Sequence, residues 1–297
     1  MKFTAFFLFA FSIASLSAQE FDIVLTRPNK VGDKCTYEGE FSEQQAQAVI
    51  IEGQPAQEHV GKVEGKVRAG LEVTKINKAG NLEEVKLTIE SWDLQVDGKA
   101  INTLKAGDVV EGRGGRPSRF TLGGVPLGKE PSQALQKFFS LKTEDEKDVD
   151  DSVLGPGKKV KSGDSWAIHA DAAAKELGEK IGIPMKPEMI KGIMKLDAVD
   201  GPETDRILKL SSHLSVNAAG LQIPGAPEGF LAQRFAVSVD MGAELPVDVT
   251  HQPLSGTEEV TTDVGGSNVV KREVADVTVK FLLSTQMKKK EKMDWAK

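Results

Sequence analysis

Four histidines and a single cysteine are the residues in this 297-residue chain best suited to metal or nucleophilic chemistry. His59, His169, His213 and His251 stand far apart, and none forms the His-x-His or His-Glu-x-x-His spacing that brings two imidazoles to one metal ion. Cys35 shares a phase of two with Tyr37 and Phe41. That phase predicts a strand whose thiol faces a core, rather than a helix start where the dipole would favour a thiolate. Gly163-Asp164-Ser165-Trp166 lacks the second glycine of the strained elbow that presents a catalytic serine. Residues 112–119 offer bare amides and the arginines Arg113, Arg116 and Arg119 to an anion. No strand-to-helix junction follows them, however, so they predict a β-hairpin tip. The acidic run over 144–151 lacks the central glycine and terminal glutamate of a twelve-residue calcium loop and reads as a solvated linker. Glycosidase-type carboxylate pairs are defined by distance in space, which spacing leaves open, but three Trp and one Tyr are a thin supply of sugar platforms. The chemistry-bearing residues thus predict a protein that is not an enzyme and holds no cofactor and no metal.

What remains is a two-residue rhythm. Over 62–74, Val63, Val67, Ala69, Leu71 and Val73 fall on one face, with Lys62, Glu64, Lys66, Arg68 and Glu72 on the other. Such alternation predicts a long strand with one wet face. Val85, Leu87 and Ile89 keep the odd phase while Trp92, Leu94 and Val96 take the even one, which predicts a bulge near Ser91. Asp97-Gly98 predicts a tight hairpin turn. Further strands are predicted over 21–25, 34–51, 190–199, 207–216 and 277–283, with a turn at Gly265-Gly266-Ser267-Asn268. Helices are predicted over 132–141 and 172–180, the second capped by Asp171.

Residues 1–18 carry one lysine, an apolar run and then small residues, the pattern of a secretory signal, which predicts export to a periplasmic or extracellular location. No later stretch reaches the 18 apolar residues of a membrane helix, so no transmembrane segment is expected. Loss of Lys2 with the signal takes the formal charge from -6 to -7, unfavourable for phosphate backbones, and nucleic acid is not expected as a partner.

Lys30-Val31-Gly32-Asp33 near the start is restated as Lys161-Ser162-Gly163-Asp164 near the middle, and strands of like periodicity follow each. In this pattern the chain resembles a group of exported bacterial β-rich proteins with repeated Lys-x-Gly-Asp openings. The resemblance spans most of the chain after the signal and implies export and β architecture. The expected fold is mainly β (α+β), with two related halves of curved antiparallel sheet, each carrying one or two short helices. The expected organisation is a signal peptide over 1–18, a first half over 19–143, an acidic and Gly-Pro linker over 144–159, a second half over 160–286 and a frayed, Lys-rich tail over 287–297.

A curved sheet with one apolar face must cover that face. If helices cover it only in part, the leftover cleft suits an apolar small molecule or lipid, lined by Phe138, Phe139, Met185, Met189, Met194, Leu221, Ile223 and Phe230. If they cover it fully, those residues are ordinary core. The protein is then a structural or partner-binding envelope component, making contact through an edge strand or the Lys-rich tail.

Overall fold

The computed structural model describes residues 19–51, 53–147, 150–181, 184–219, 221–222, 231–232, 234–248, 250, 252–272 and 277–295. The strands are β1 (Lys34–Ile51), β2 (Gln57–Ile76), β3 (Leu82–Val96), β4 (Lys99–Ala100), β5 (Val109–Arg113), β6 (Arg119–Leu122), β7 (Val125–Pro126), β8 (Ser165–Ala167), β9 (Ile190–Asp200), β10 (Arg206–Ala218), β11 (Leu221–Gln222), β12 (Leu231–Ala232), β13 (Arg234–Val247), β14 (Ser255–Arg272) and β15 (Val277–Trp295). The helices are α1 (Lys129–Phe138), α2 (Asp150–Leu154) and α3 (Ala170–Ile181). All strands but β11 and β12, which pair with each other, belong to one antiparallel sheet of 13 strands. Its order is β7-β6-β5-β3-β2-β1-β15-β14-β13-β10-β9-β8, with β4 beside β3. The first and last long strands therefore meet at the centre, from Cys35 opposite Trp295 to Ile51 opposite Val279.

Alternation sets the faces as expected. Val67, Ala69, Leu71 and Val73 are buried on β2. On the wet side, Arg68 reaches Glu38 at 2.9 Å and Glu90 at 2.7 Å across the neighbouring strands. The phase switch in β3 is a bulge: Arg68 lies opposite Ser91 and Ala69 opposite Ile89, so Glu90 is the extra residue. Asp97 (φ 49°) and Gly98 (φ 73°) both take the left-handed conformation that a two-residue hairpin turn demands.

The Lys-x-Gly-Asp turn occurs three times, not twice, and each copy is built from the same bonds. Lys30 N–H donates to the Asp33 carboxylate at 3.1 Å, Lys105 N–H to Asp108 at 2.9 Å and Lys161 N–H to Asp164 at 2.8 Å. The glycine amides of Gly32, Gly107 and Gly163 donate to the carbonyls of Val73, Ile89 and Leu196, and the amides of those three residues donate back to the aspartate carbonyls. All three glycines have φ near +90°, which a Cβ would strain. Each aspartate opens a strand, respectively β1, β5 and β8. The residue two positions on points into a core: Cys35, Val110 and Trp166. The motif is therefore a strand-opening clasp, and the difference between Lys34-Cys35 and Ser165-Trp166 is a change of core filling on one shared geometry.

Several expectations are corrected. Residues 21–25 form a single bridge, Phe21 to Val160, instead of a strand. The first helix begins at Lys129 and ends at Phe138, and Phe139 is already extended. The second begins at Ala170, so Asp171 lies in its first turn rather than capping it. Gly265 to Asn268 do not turn the chain but run through β14, paired along their length with β15 and, from Gly265 to Ser267, with β13 as well. The Lys-rich segment is not frayed either. It is the end of β15, held between β1 and β14, with Lys288, Lys290 and Lys292 exposed on the wet face and Lys289, Glu291, Met293 and Trp295 half-buried on the other. Among the described residues no helix is long and apolar enough to cross a membrane.

Candidate functional site

Two separate cores lie on the inner face of the sheet. Under α1, Phe138 packs edge-on against Tyr37 and Phe41, with ring centroids 6.0 and 5.2 Å apart, and Phe139 lies 4.5 Å from Tyr37. Gly39 makes room for this: a Cβ there would come within 2.7 Å of the Phe138 ring. The second core joins Phe21, Ile23, Trp166, Ile168, Ala173 and Ala174 to Met194, Leu196, Leu208 and Leu210. Trp166 Nε1–H is satisfied by the Leu154 carbonyl at 2.7 Å.

Between the cores, over β15, β14, β13, β10 and β9, is a cavity of about 290 Å³. Its apolar wall comes from Met194 and Leu210 on one side, Met241, Ala243 and Leu245 on β13, and Met293 and Trp295 on β15. Leu25 and Leu154 line it from the covering segments, and Leu82 lines it from the start of β3. The space exists because small residues sit at its base. Ala243 lies opposite Glu258 in the β13–β14 register, and Gly256 presents no side chain to Leu245.

The polar part of the wall is Glu258 and Glu291, directly opposite one another on β14 and β15 and both lining the cavity. Glu291 accepts a hydrogen bond from Tyr37 Oη–H at 2.7 Å and an ion pair from Lys289 at 2.9 Å. Glu258 bonds to Glu291 itself. Burial first, and the facing Glu291 charge second, push the Glu258 carboxyl up to about 7, although Lys289 pulls the other way. Burial, with Glu291 beside it, also holds the Tyr37 phenol well above its usual range, so it remains a donor. Deeper on the same face Glu43 is paired with Lys137.

Of the residues expected to line a cleft, Met194 does so. Phe138 and Phe139 are instead filling of the α1 core, and Met185 and Met189 pack half-buried against the second core. Leu221 is placed in β11 by its backbone, and Ile223 and Phe230 lie outside the described residues. The carboxylate pair, Met241, Ala243, Leu245, Met293 and Trp295 were not singled out from sequence. The signal for the β15 part was the odd phase of Met287, Lys289, Glu291, Met293 and Trp295 beneath a dense run of charge.

A wider groove of about 970 Å³ lies against the arginine-rich hairpin of β5 and β6. Arg113 is engaged by Glu84 at 3.0 Å and Arg116 by Glu146 at 3.2 Å, so two of its three arginines are already answered by carboxylates. In the acidic run Glu144 and Asp145 stay exposed beside Lys78, while Glu146 tucks against Thr143. His213 is exposed and bonded to Asp240 at 2.7 Å, and His169 is held by the Gly155 carbonyl at 3.0 Å. Among the described residues no group of three or more His, Cys, Asp or Glu is placed to hold a metal ion. No protein-family model matches the chain, and no curated protein matches it.

Proposed function

We propose that this is an exported, non-catalytic protein that holds an apolar or lipid-like molecule in the cleft between two related halves of its sheet. The observation that carries the reading is the cavity walled by Met194, Leu210, Met241, Leu245, Met293 and Trp295, which lies between the two helix-covered cores. Apolar walls with a few convergent polar groups are the usual make-up of a small-molecule site. Thioether side chains adapt to flexible chains better than branched ones do. Export is supported by the signal pattern over 1–18. The relation of the halves is supported by six strands of the central path on each side of the β1–β15 junction.

The competing reading is an envelope protein that binds a partner and no small molecule. It is favoured by the exposed Val60 and Leu282, which share the outer face, Val60 opposite Ala46 and Leu282 opposite Ala48 of the intervening β1. Organic extraction of protein purified without detergent, followed by mass spectrometry and uptake of the neutral dye Nile red, separates the two. A released lipid, or saturable uptake of dye by the extracted protein that Ala243→Met abolishes by filling the cavity, supports the carrier. No extracted species and no uptake would leave the partner-binding reading.

A further inference from the structure

The pair at the base of the cavity is an unusual choice for an apolar site. A row across the sheet runs Gly39, Glu291, Glu258, Ala243 and Leu210, each opposite the next. Only two members carry charge, and they are adjacent. Like charges directly opposite on neighbouring strands repel, and a low-dielectric wall strengthens that repulsion. The relief available is one proton between them. Glu291 is the better-supported anion, since Tyr37 from β1 and Lys289 from its own strand both donate to it. Glu258 is left to carry the proton and hydrogen-bonds to Glu291, its neighbour across the strands.

The remaining charged groups facing this space do not remove the imbalance. Asp150 of α2 adds a further negative field. Arg27 also lines the cavity, but its guanidinium is engaged by Asp33 at 2.8 Å and stacks over Trp295 at 4.0 Å. Lys142 lines the opposite margin, and Lys137 is taken by Glu43.

We infer that the cavity retains an uncharged apolar occupant while Glu258 and Glu291 share one proton, and releases it when both are ionised. This rests on the carrier reading. Loss of the shared proton places a second carboxylate on the wall, and two carboxylates draw water into the volume an apolar molecule would fill. The direction follows from linkage: an occupant that prefers the protonated pair raises its proton affinity, and rising pH must weaken the occupant in return.

The test is Nile red affinity of the whole protein, extracted free of bound lipid, between about pH 6 and about pH 8.5, with near-ultraviolet circular dichroism confirming the fold at each point. Wild-type affinity should fall roughly tenfold over that range, and Glu258→Gln should stay flat at the acid-side affinity. Dye that binds with the same affinity throughout would overturn the proton linkage while leaving the carrier standing. No uptake at any pH would remove both. Should Glu258→Gln not fold, carboxyl carbon NMR of the wild type decides. A glutamate titrating near pH 7 supports the inference, and glutamates that all titrate in the ordinary range overturn it.

Discussion

The backbone amide of Ile89 donates to the Asp108 carbonyl at 2.9 Å, as Val73 does to Asp33 at 2.9 Å and Leu196 to Asp164 at 3.0 Å. In each case the aspartate carboxylate also closes the turn by accepting from the lysine amide three residues back. Removing that acceptor leaves an amide without its partner but within reach of water. Asp108→Ala and Asp164→Ala should therefore each lower stability by about 1 kcal/mol. The turns lie on different strands and share no partners, so the double variant should lose the sum. Urea titration checks both statements. A double variant no less stable than either single one would show that the clasps do not act independently.

Glycines within the strands divide into two kinds. A Cβ on Gly39 would meet the Phe138 ring at 2.7 Å and Tyr37 Oη at 2.8 Å, whereas one on Gly70 would meet nothing within 4 Å. Gly39→Ala must lift Phe138 and with it α1, which should destabilise by about 2 kcal/mol. Gly70→Ala, on an extended backbone, should stabilise by about 0.5 kcal/mol through a less flexible unfolded chain. Thermal melts of the two variants should move in opposite directions.

The strand framework was legible because its cause is local. Val67 to Val73 alternate within one segment, the Glu90 bulge shows as a change of phase, and Asp97-Gly98 names its own turn. Density of one residue type misled. The lysines of 288–292 hid the inward phase of Lys289, Glu291 and Met293, and Gly265-Gly266 suggested a turn where bonds on both flanks keep the chain extended. The third clasp, Lys105-Ala106-Gly107-Asp108, carries the same motif between the other two, so the motif marks strand openings and not the starts of halves. The cavity was not legible at all. Glu258 and Glu291 meet only through the register of β14 on β15, and Ala243 matters only because it stands beside them.

Cys35 is buried on β1, and burial pushes its thiol up to about 12, assisted by Asp294 and opposed by Arg27. The reactive species is the thiolate. An aromatic disulfide reagent at about pH 8 should therefore modify the folded protein roughly a hundredfold or more slowly than a peptide thiol. One equivalent should react promptly in denaturant. Rapid native-state modification would mean that the start of β1 opens without global unfolding.

The Glu258 carboxyl has a further consequence for the empty protein. Its value in the folded state, about 7, lies above its ordinary value of 4.5. Folding therefore favours the protonated form. The associated stability is fully present below about pH 4.5 and is lost as pH rises through about 7, to an extent of at most about 3 kcal/mol. Asp33 titrates in the opposite sense. Burial alone would raise it, but hydrogen bonds from Arg27 and from the Lys30 amide bring its carboxyl below 3.8, so its contribution is lost only as the pH falls through that lower value. Between about pH 5 and pH 8 the Glu258 effect should dominate the difference between wild type and Glu258→Gln. The wild type should lose stability across that range while the variant loses less, and urea midpoints at half-unit steps would show it. Parallel curves would mean that the Glu258–Glu291 pair ionises freely in the folded protein, and that its position beside Ala243 and Met293 has no electrostatic consequence.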